Sequence, residues 1–254
     1  MATISLNWLH IQRSSFAFFK ENFKRLFTLY LLICLPLHLP LLFYRGTHSY
    51  QTGHTFSALL KNARSTLLFE VPVNSLSISV IMMVTLSLLM FQREGIAFDA
   101  RRFKSFFINK YGTVLLAVLI CNILQYIGLV LLVIPGLYFM PVAALVVPFM
   151  IFGGAKLFEA MNSAFSAVNG NWLILFLLVI SPLLIIMGYE ILFLRLTHHS
   201  LFNLHDRPLL LIPELIADLF AQIVLMYVVI NMGYAYLSIT ANSAPENAQV
   251  SRLS

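Results

Sequence analysis

Charge is scarce in this 254-residue chain. Asp, Glu, Lys and Arg make up 10% of it, whereas a soluble domain carries roughly 25%. With 60% of its residues hydrophobic, the chain is not an ordinary water-soluble globule. Long polar stretches are missing too: none approaches the roughly 50 residues of a separate soluble core, so a single domain is expected over 1–240. Cysteine is nearly absent. Cys34 and Cys121 both fall inside apolar runs, where small buried hydrophobes are expected rather than a disulfide. Catalytic signatures are lacking as well. There is no GxSxG, P-loop, HExxH or CxxC string, and the basic side of the chain has no carboxylate cluster to hold Mg²⁺ for phosphoryl transfer. Neither an enzyme nor a bound cofactor is expected.

What the chain does have is long apolar runs. Six are counted, at about 26–44, 71–91, 113–134, 137–153, 172–193 and 213–239. Helices of about 20 apolar residues cross a hydrocarbon core of about 30 Å and satisfy their own backbone polar groups on the way. The expected fold is therefore all-α, a polytopic helical membrane protein with six transmembrane helices. The fourth run is short and carries Pro141 and Pro148, which predicts a kinked or tilted span. The first run contains Pro36, His38 and Pro40 and no small-residue cleavage site, so it is read as a retained span rather than a signal peptide. The polar stretch 241–254 is expected to be a flexible cytoplasmic tail.

Six spans put both termini on the same side. Eleven of the 16 Lys and Arg residues belong to that side, among them Arg13, Lys20, Lys24, Arg25, Arg101, Arg102 and Lys104. The positive-inside rule makes it cytoplasmic. The cations sit beside membrane ends rather than on a soluble face. Anionic phospholipid headgroups are thus the expected partner, and nucleic acid is not.

The segments before runs one, three and five share a form. Each mixes polar and apolar residues and ends in an aromatic that opens the next run: Phe23, Tyr111 and Trp172. Three interfacial amphipathic helices on the cytoplasmic side, each followed by a hairpin, fit this weak repeat. In the first, over 6–24, Leu9, Gln12, Arg13, Phe16, Phe19, Lys20 and Phe23 recur at helical spacing, an aromatic stripe flanked by cations. The second sets Phe98, Phe103, Phe106 and Phe107 among Arg101, Arg102 and Lys104. The third is Leu157, Met161, Ala164, Phe165 and Val168, after Gly153-Gly154.

Three groups of residues are candidates for function or architecture. Asp218 lies inside the last run, followed by Gln222, Tyr227, Asn231, Tyr234 and Ser238, a polar face suited to a cavity between helices or to interhelical hydrogen bonds. Asn122 and Gln125 in the third run are its candidate partners. On the outer side His48, His54, His198, His199 and His205 gather near carboxylates, a candidate metal or pH site against the plainer reading of wet surface histidines. Finally, Pro135-Gly136 is expected to set the turn between the third and fourth spans, with Gly136 supplying positive φ.

The string LQYIGLVLLVIPGLYFMPVAALVVPFMIF, followed by KLFEAMNSAFSAVNGNW, resembles the YciC-like family of uncharacterised bacterial inner-membrane proteins. The matching positions are Gly128, Pro135, Gly136, Pro148, Ala160, Ser163 and Ser166, and the opening FFKENFKRLFTLYLL is similar as well. A more distant similarity runs to the membrane domain attached to some glycerophosphodiester phosphodiesterases. Many relatives of that wider group carry an acidic residue soon after the second Pro. This chain reads Ile151-Phe152-Gly153-Gly154 there, so no role of that carboxylate transfers. The resemblance implies a helical membrane fold in a bacterial inner membrane and no catalytic residue. The expected function is a non-enzymatic membrane component that contacts lipid or an envelope partner protein. The alternative is a transporter of a small molecule, lipid or metal with a polar cavity between its helices.

Overall fold

The computed structural model describes residues 6–34, 36, 71–96, 98–131, 133–201 and 211–243. Among them every regular element is helical. Helix α1 (Trp8–Leu29) runs into a π-helical turn, Tyr30–Cys34. It is followed by α2 (Val71–Arg93), α3 (Ala100–Leu131), α4 (Val133–Phe152), α5 (Leu157–Val168), α6 (Trp172–Leu201) and α7 (Leu211–Ser243). Five of these, α2, α3, α4, α6 and α7, are long and apolar enough to cross a membrane, and they answer the second to sixth apolar runs. The second half of the first run, residue 35 and residues 37–44, lies outside the described residues, as do all but the first three residues of the expected tail, and those three are helical.

The three expected surface helices are not alike. Only the third, α5, is a separate helix. The first two continue without a break into the apolar sequence that follows, as α1 and as the first turns of α3. Local chemistry explains the difference. Between Lys20 and Leu29 there is no glycine or proline to stop a helix, and the single Gly112 in α3 is tolerated at a cost of about 1 kcal/mol. Between α5 and α6 stands Asn169-Gly170-Asn171, and Gly170 adopts φ 126°, a conformation closed to residues with a side chain.

The Pro135-Gly136 turn is corrected by the structure. Pro135 and Gly136 both lie in the first turn of α4, and Gly136 is not among the glycines of positive φ. Proline is welcome there because its missing N–H has no intrahelical acceptor. Gly136 serves close packing instead of a left-handed turn. A Cβ on it would meet the backbone nitrogen of Leu129 at 2.6 Å, and one on Gly128 would meet the Gly136 Cα at 3.1 Å. The hairpin closes glycine against glycine, the small-residue contact that lets membrane helices approach. Helix α4 also runs on through Pro141 and Pro148.

Two apolar clusters form the interior, and α7 stands between them. Met226, Val229 and Ile230 of α7 pack with α2, the start of α3 and Phe18, Leu26 and Tyr30 of α1. Val228, Met232 and Ala235 pack with α4, α5 and α6 and with Ile11 of α1. Helix α2 is the most enclosed span. It buries Ser75, Ser77, Ser79, Thr85 and Ser87 along with its aliphatic residues. Ser75 donates to the Val71 carbonyl at 2.7 Å, Ser79 to Leu76 at 2.7 Å and Ser87 to Met83, so three of the five hydroxyls are satisfied within the helix itself, while those of Ser77 and Thr85 have no hydrogen-bond partner among the described residues. Short side chains of this kind let neighbouring helices approach closely.

Candidate functional site

The central cavity has a volume of about 250 Å³ and is enclosed by α2, α3, α4, α6 and α7. Asn122 and Gln125, one turn apart on α3, supply its polar wall, with Cys121 beside them. Asn122 donates to Ser75 Oγ of α2 at 2.9 Å, and Ser75 hands its own proton to Val71. The remaining surface is mostly aliphatic, including Met82 of α2, Val179 of α6 and Val228 of α7. A cavity with one polar strip on an apolar wall suits an amphiphilic guest better than an ion.

The polar face expected on α7 does not line this space together. Its residues diverge around the helix and meet different neighbours. Asn231 is fully buried and donates to the Leu178 carbonyl of α6 at 3.4 Å, and its Oδ1 has no hydrogen-bond partner. Tyr227 turns to α1, where its hydroxyl meets the Gln12 side chain. Tyr234 meets the edge of Phe18 at 6.4 Å between ring centres. Gln222 is buried elsewhere on α7, whose cavity wall is Leu225, Val228, Val229 and Met232. The side chain of Asp218 lies outside the described residues. Among the expected cavity residues whose side chains are described, only Asn122 and Gln125 come together, and Asn122 donates to Ser75.

The histidine site falls largely outside the described residues: His48, His54 and His205 entirely, and the side chains of His198 and His199 on α6. Among the described residues no three of His, Cys, Asp and Glu are grouped as a metal would need.

Helix α1 presents two features that its sequence pattern half revealed. The stripe read from the sequence is the outer one: Leu9, Arg13, Phe16, Lys20 and Phe23 are all exposed. The buried stripe is Ile11, Ser15, Phe18, Asn22 and Leu26, nearly opposite on the helical wheel. Polar clamps reinforce that inner face at two points. Gln12 meets Tyr227 of α7, and Asn22 donates to Gln92 Oε1 of α2 at 2.9 Å while Gln92 donates to Glu21 at 3.2 Å. Helix α1 is thus strapped across the bundle from α7 to α2.

Beside that strap is a groove of about 490 Å³ between α1 and the α6–α7 pair. Trp8, Leu9, Phe16 and Phe19 form one wall, with Pro182 and Ile185 of α6 and Ile223 and Val224 of α7 opposite. Among the described residues Arg13 is the only charged one on its surface. The same face of α1 carries Lys20 and Lys24 one and two steps further on, at i+7 and i+11.

No family model, curated protein or solved structure matches this chain.

Proposed function

We propose that the chain is an integral protein of the bacterial inner membrane, with both termini cytoplasmic, that acts without catalysis by contacting phospholipid or an envelope partner protein. Membership of the YciC-like family is part of the same reading and rests on Gly128, Pro135, Gly136 and Pro148. The outer face of α1 carries the argument: exposed Leu9, Phe16 and Phe23 lie beside exposed Arg13, Lys20 and Lys24, on a helix whose opposite face is clamped to the bundle. Aromatic residues beside cations are the composition that binds an anionic headgroup layer, at about 1 kcal/mol per cation near the surface. The lipid-facing sides of α3 and α6 support the membrane setting. They expose Leu116, Leu124, Leu184 and Ile185, and Ile134 at the start of α4 is 81% exposed. A contiguous apolar surface of that kind drives aggregation in water and is at ease in hydrocarbon.

Native mass spectrometry of the full chain, extracted gently from its own membrane, tests the reading. Retained phospholipid or a co-purifying envelope protein is the expected result. A bare chain, together with unchanged lipid composition and unchanged growth under envelope stress after deletion, refutes it. Cysteine labelling from either side of the membrane at positions 110 and 156 tests the orientation, with cytoplasmic access expected at both.

A second reading, a permease, is supported by the central cavity. Replacing Asn122 and Gln125 by Leu removes its polar strip, and unchanged uptake of every candidate solute dismisses that site.

A further inference from the structure

We propose that the groove between α1 and the α6–α7 pair is a binding site for one anionic phospholipid, an acyl chain lying in the groove and the phosphate held by Arg13. This rests on the reading of the chain as a lipid-contacting membrane protein and gives that contact a location. The volume of about 490 Å³ lies within the range of about 300–1,000 Å³ typical of small-molecule sites. The walls are almost wholly apolar, and they come from three helices rather than from a shallow dent in one.

Besides Arg13 the groove is lined by Gln12, Ser181, Tyr227 and the indole of Trp8, and none of these carries a charge. The Gln12 side chain and the Tyr227 hydroxyl are bonded to each other. Ser181, immediately before Pro182, has a hydroxyl that is neutral. Arg13 is the one cation at the site, and among the described residues its side chain has neither an ion pair nor a hydrogen bond. A guanidinium at the edge of an apolar groove is costly in hydrocarbon and matches a phosphate diester with paired N–H donors. Lys20 and Lys24 continue the same stripe, so net negative charge is favoured over a zwitterion.

The occupant differs from the general lipid annulus in needing both halves of the site. Exposed aliphatic faces on α3 and α6 hold acyl chains without regard to headgroup. The basic turns of α3, with Arg101, Arg102 and Lys104 exposed, attract headgroups by charge alone.

The test uses the full-length protein in mixed micelles containing phosphatidylglycerol and phosphatidylcholine of identical acyl chains, read by native mass spectrometry. The wild-type chain is expected to retain one phosphatidylglycerol in preference to phosphatidylcholine. Arg13→Gln, at an exposed position, is expected to reduce that preference about five-fold, the worth of one surface cation. Val224→Trp fills the groove and is expected to abolish retention of both lipids. Lys110→Gln, an exposed cation of α3, is expected to change nothing. If Arg13→Gln and Val224→Trp retain lipid as the wild type does, this site is overturned while lipid contact stands. Equal losses in Arg13→Gln and Lys110→Gln overturn it in favour of diffuse charge attraction. A wild-type chain that retains neither lipid removes the site and the lipid half of the broader reading, leaving contact with an envelope partner protein.

Discussion

Helices α2 and α6 are both apolar and both long enough to cross a bilayer, and they are built on opposite plans. Helix α2 is buried over 72% of its apolar stretch, α6 over 22%. The buried helix is the one rich in hydroxyls, with Ser75, Ser77, Ser79, Thr85 and Ser87 in its interior contacts. The exposed helix shows plain Leu173, Leu177, Leu184, Ile185 and Met187 to its surroundings, each 42–61% exposed. In a water-soluble protein the arrangement runs the other way. Hydrocarbon removes the hydrophobic reason to bury leucine, so small side chains and hydrogen bonds take the centre and branched aliphatics face the solvent.

Substitutions can break that contrast, beginning with the most damaging. Gly136→Leu places a side chain where the Leu129 backbone already stands, so the α3–α4 hairpin cannot close. Loss of folded protein in size-exclusion chromatography is the expected outcome, whereas Leu184→Ala on the exposed face of α6 should elute as the wild type. Leu86→Ala comes next. This residue of α2 is fully buried, and its truncation should cost about 2–5 kcal/mol in detergent unfolding. Leu184→Ala in the same assay should stay within about 0.5 kcal/mol. Parity between the two erases the distinction between a central and a peripheral span.

Smaller effects sharpen the role of the hydroxyls. Ser75→Ala removes the acceptor of Asn122 and should cost about 0.6–2 kcal/mol, the range of interhelical hydrogen bonds in membranes. In the background of Asn122→Leu the same change should cost less, which a double-mutant cycle measures. Thr85→Val is the smallest. Thr85 Oγ1 is buried with no hydrogen-bond partner, so an isosteric methyl should leave stability unchanged or slightly raised. A loss of more than about 1 kcal/mol shows that the hydroxyl has a partner in the membrane.

Helix positions were legible in the sequence because runs of apolar residues leave few alternatives. Five of the six expected runs coincide with long helices, and the cavity residues Asn122 and Gln125 were found because amides inside a span stand out. Other features depended on partners far away in the chain. The inner stripe of α1 contains Ser15 and Asn22, so hydropathy concealed it behind the more conspicuous Phe16 and Phe23. Asn22 became a core residue only through Gln92, 70 positions later. Pro135-Gly136 misled for a different reason. The same dipeptide suits a turn or the start of a tightly packed helix, and the deciding residue is Gly128 on the facing helix. One available signal went unread: five Ser and Thr residues within the run 71–91 mark a helix made for close approach on several sides.

The strap formed by α1 also imposes a timetable. Gln12 and Tyr227 are 215 residues apart, and at about 5–20 residues per second the second is synthesised some 10–40 s after the first. Throughout that interval α1 has no α7 to rest on. Its inner stripe, with Ser15 and Asn22, is poorly suited to lipid, whereas its outer stripe of phenylalanines and cations is at home at the membrane surface. The Asn22–Gln92 clamp to α2 can form earlier, 70 residues on, so the Gln12–Tyr227 contact is the one that must wait for α7.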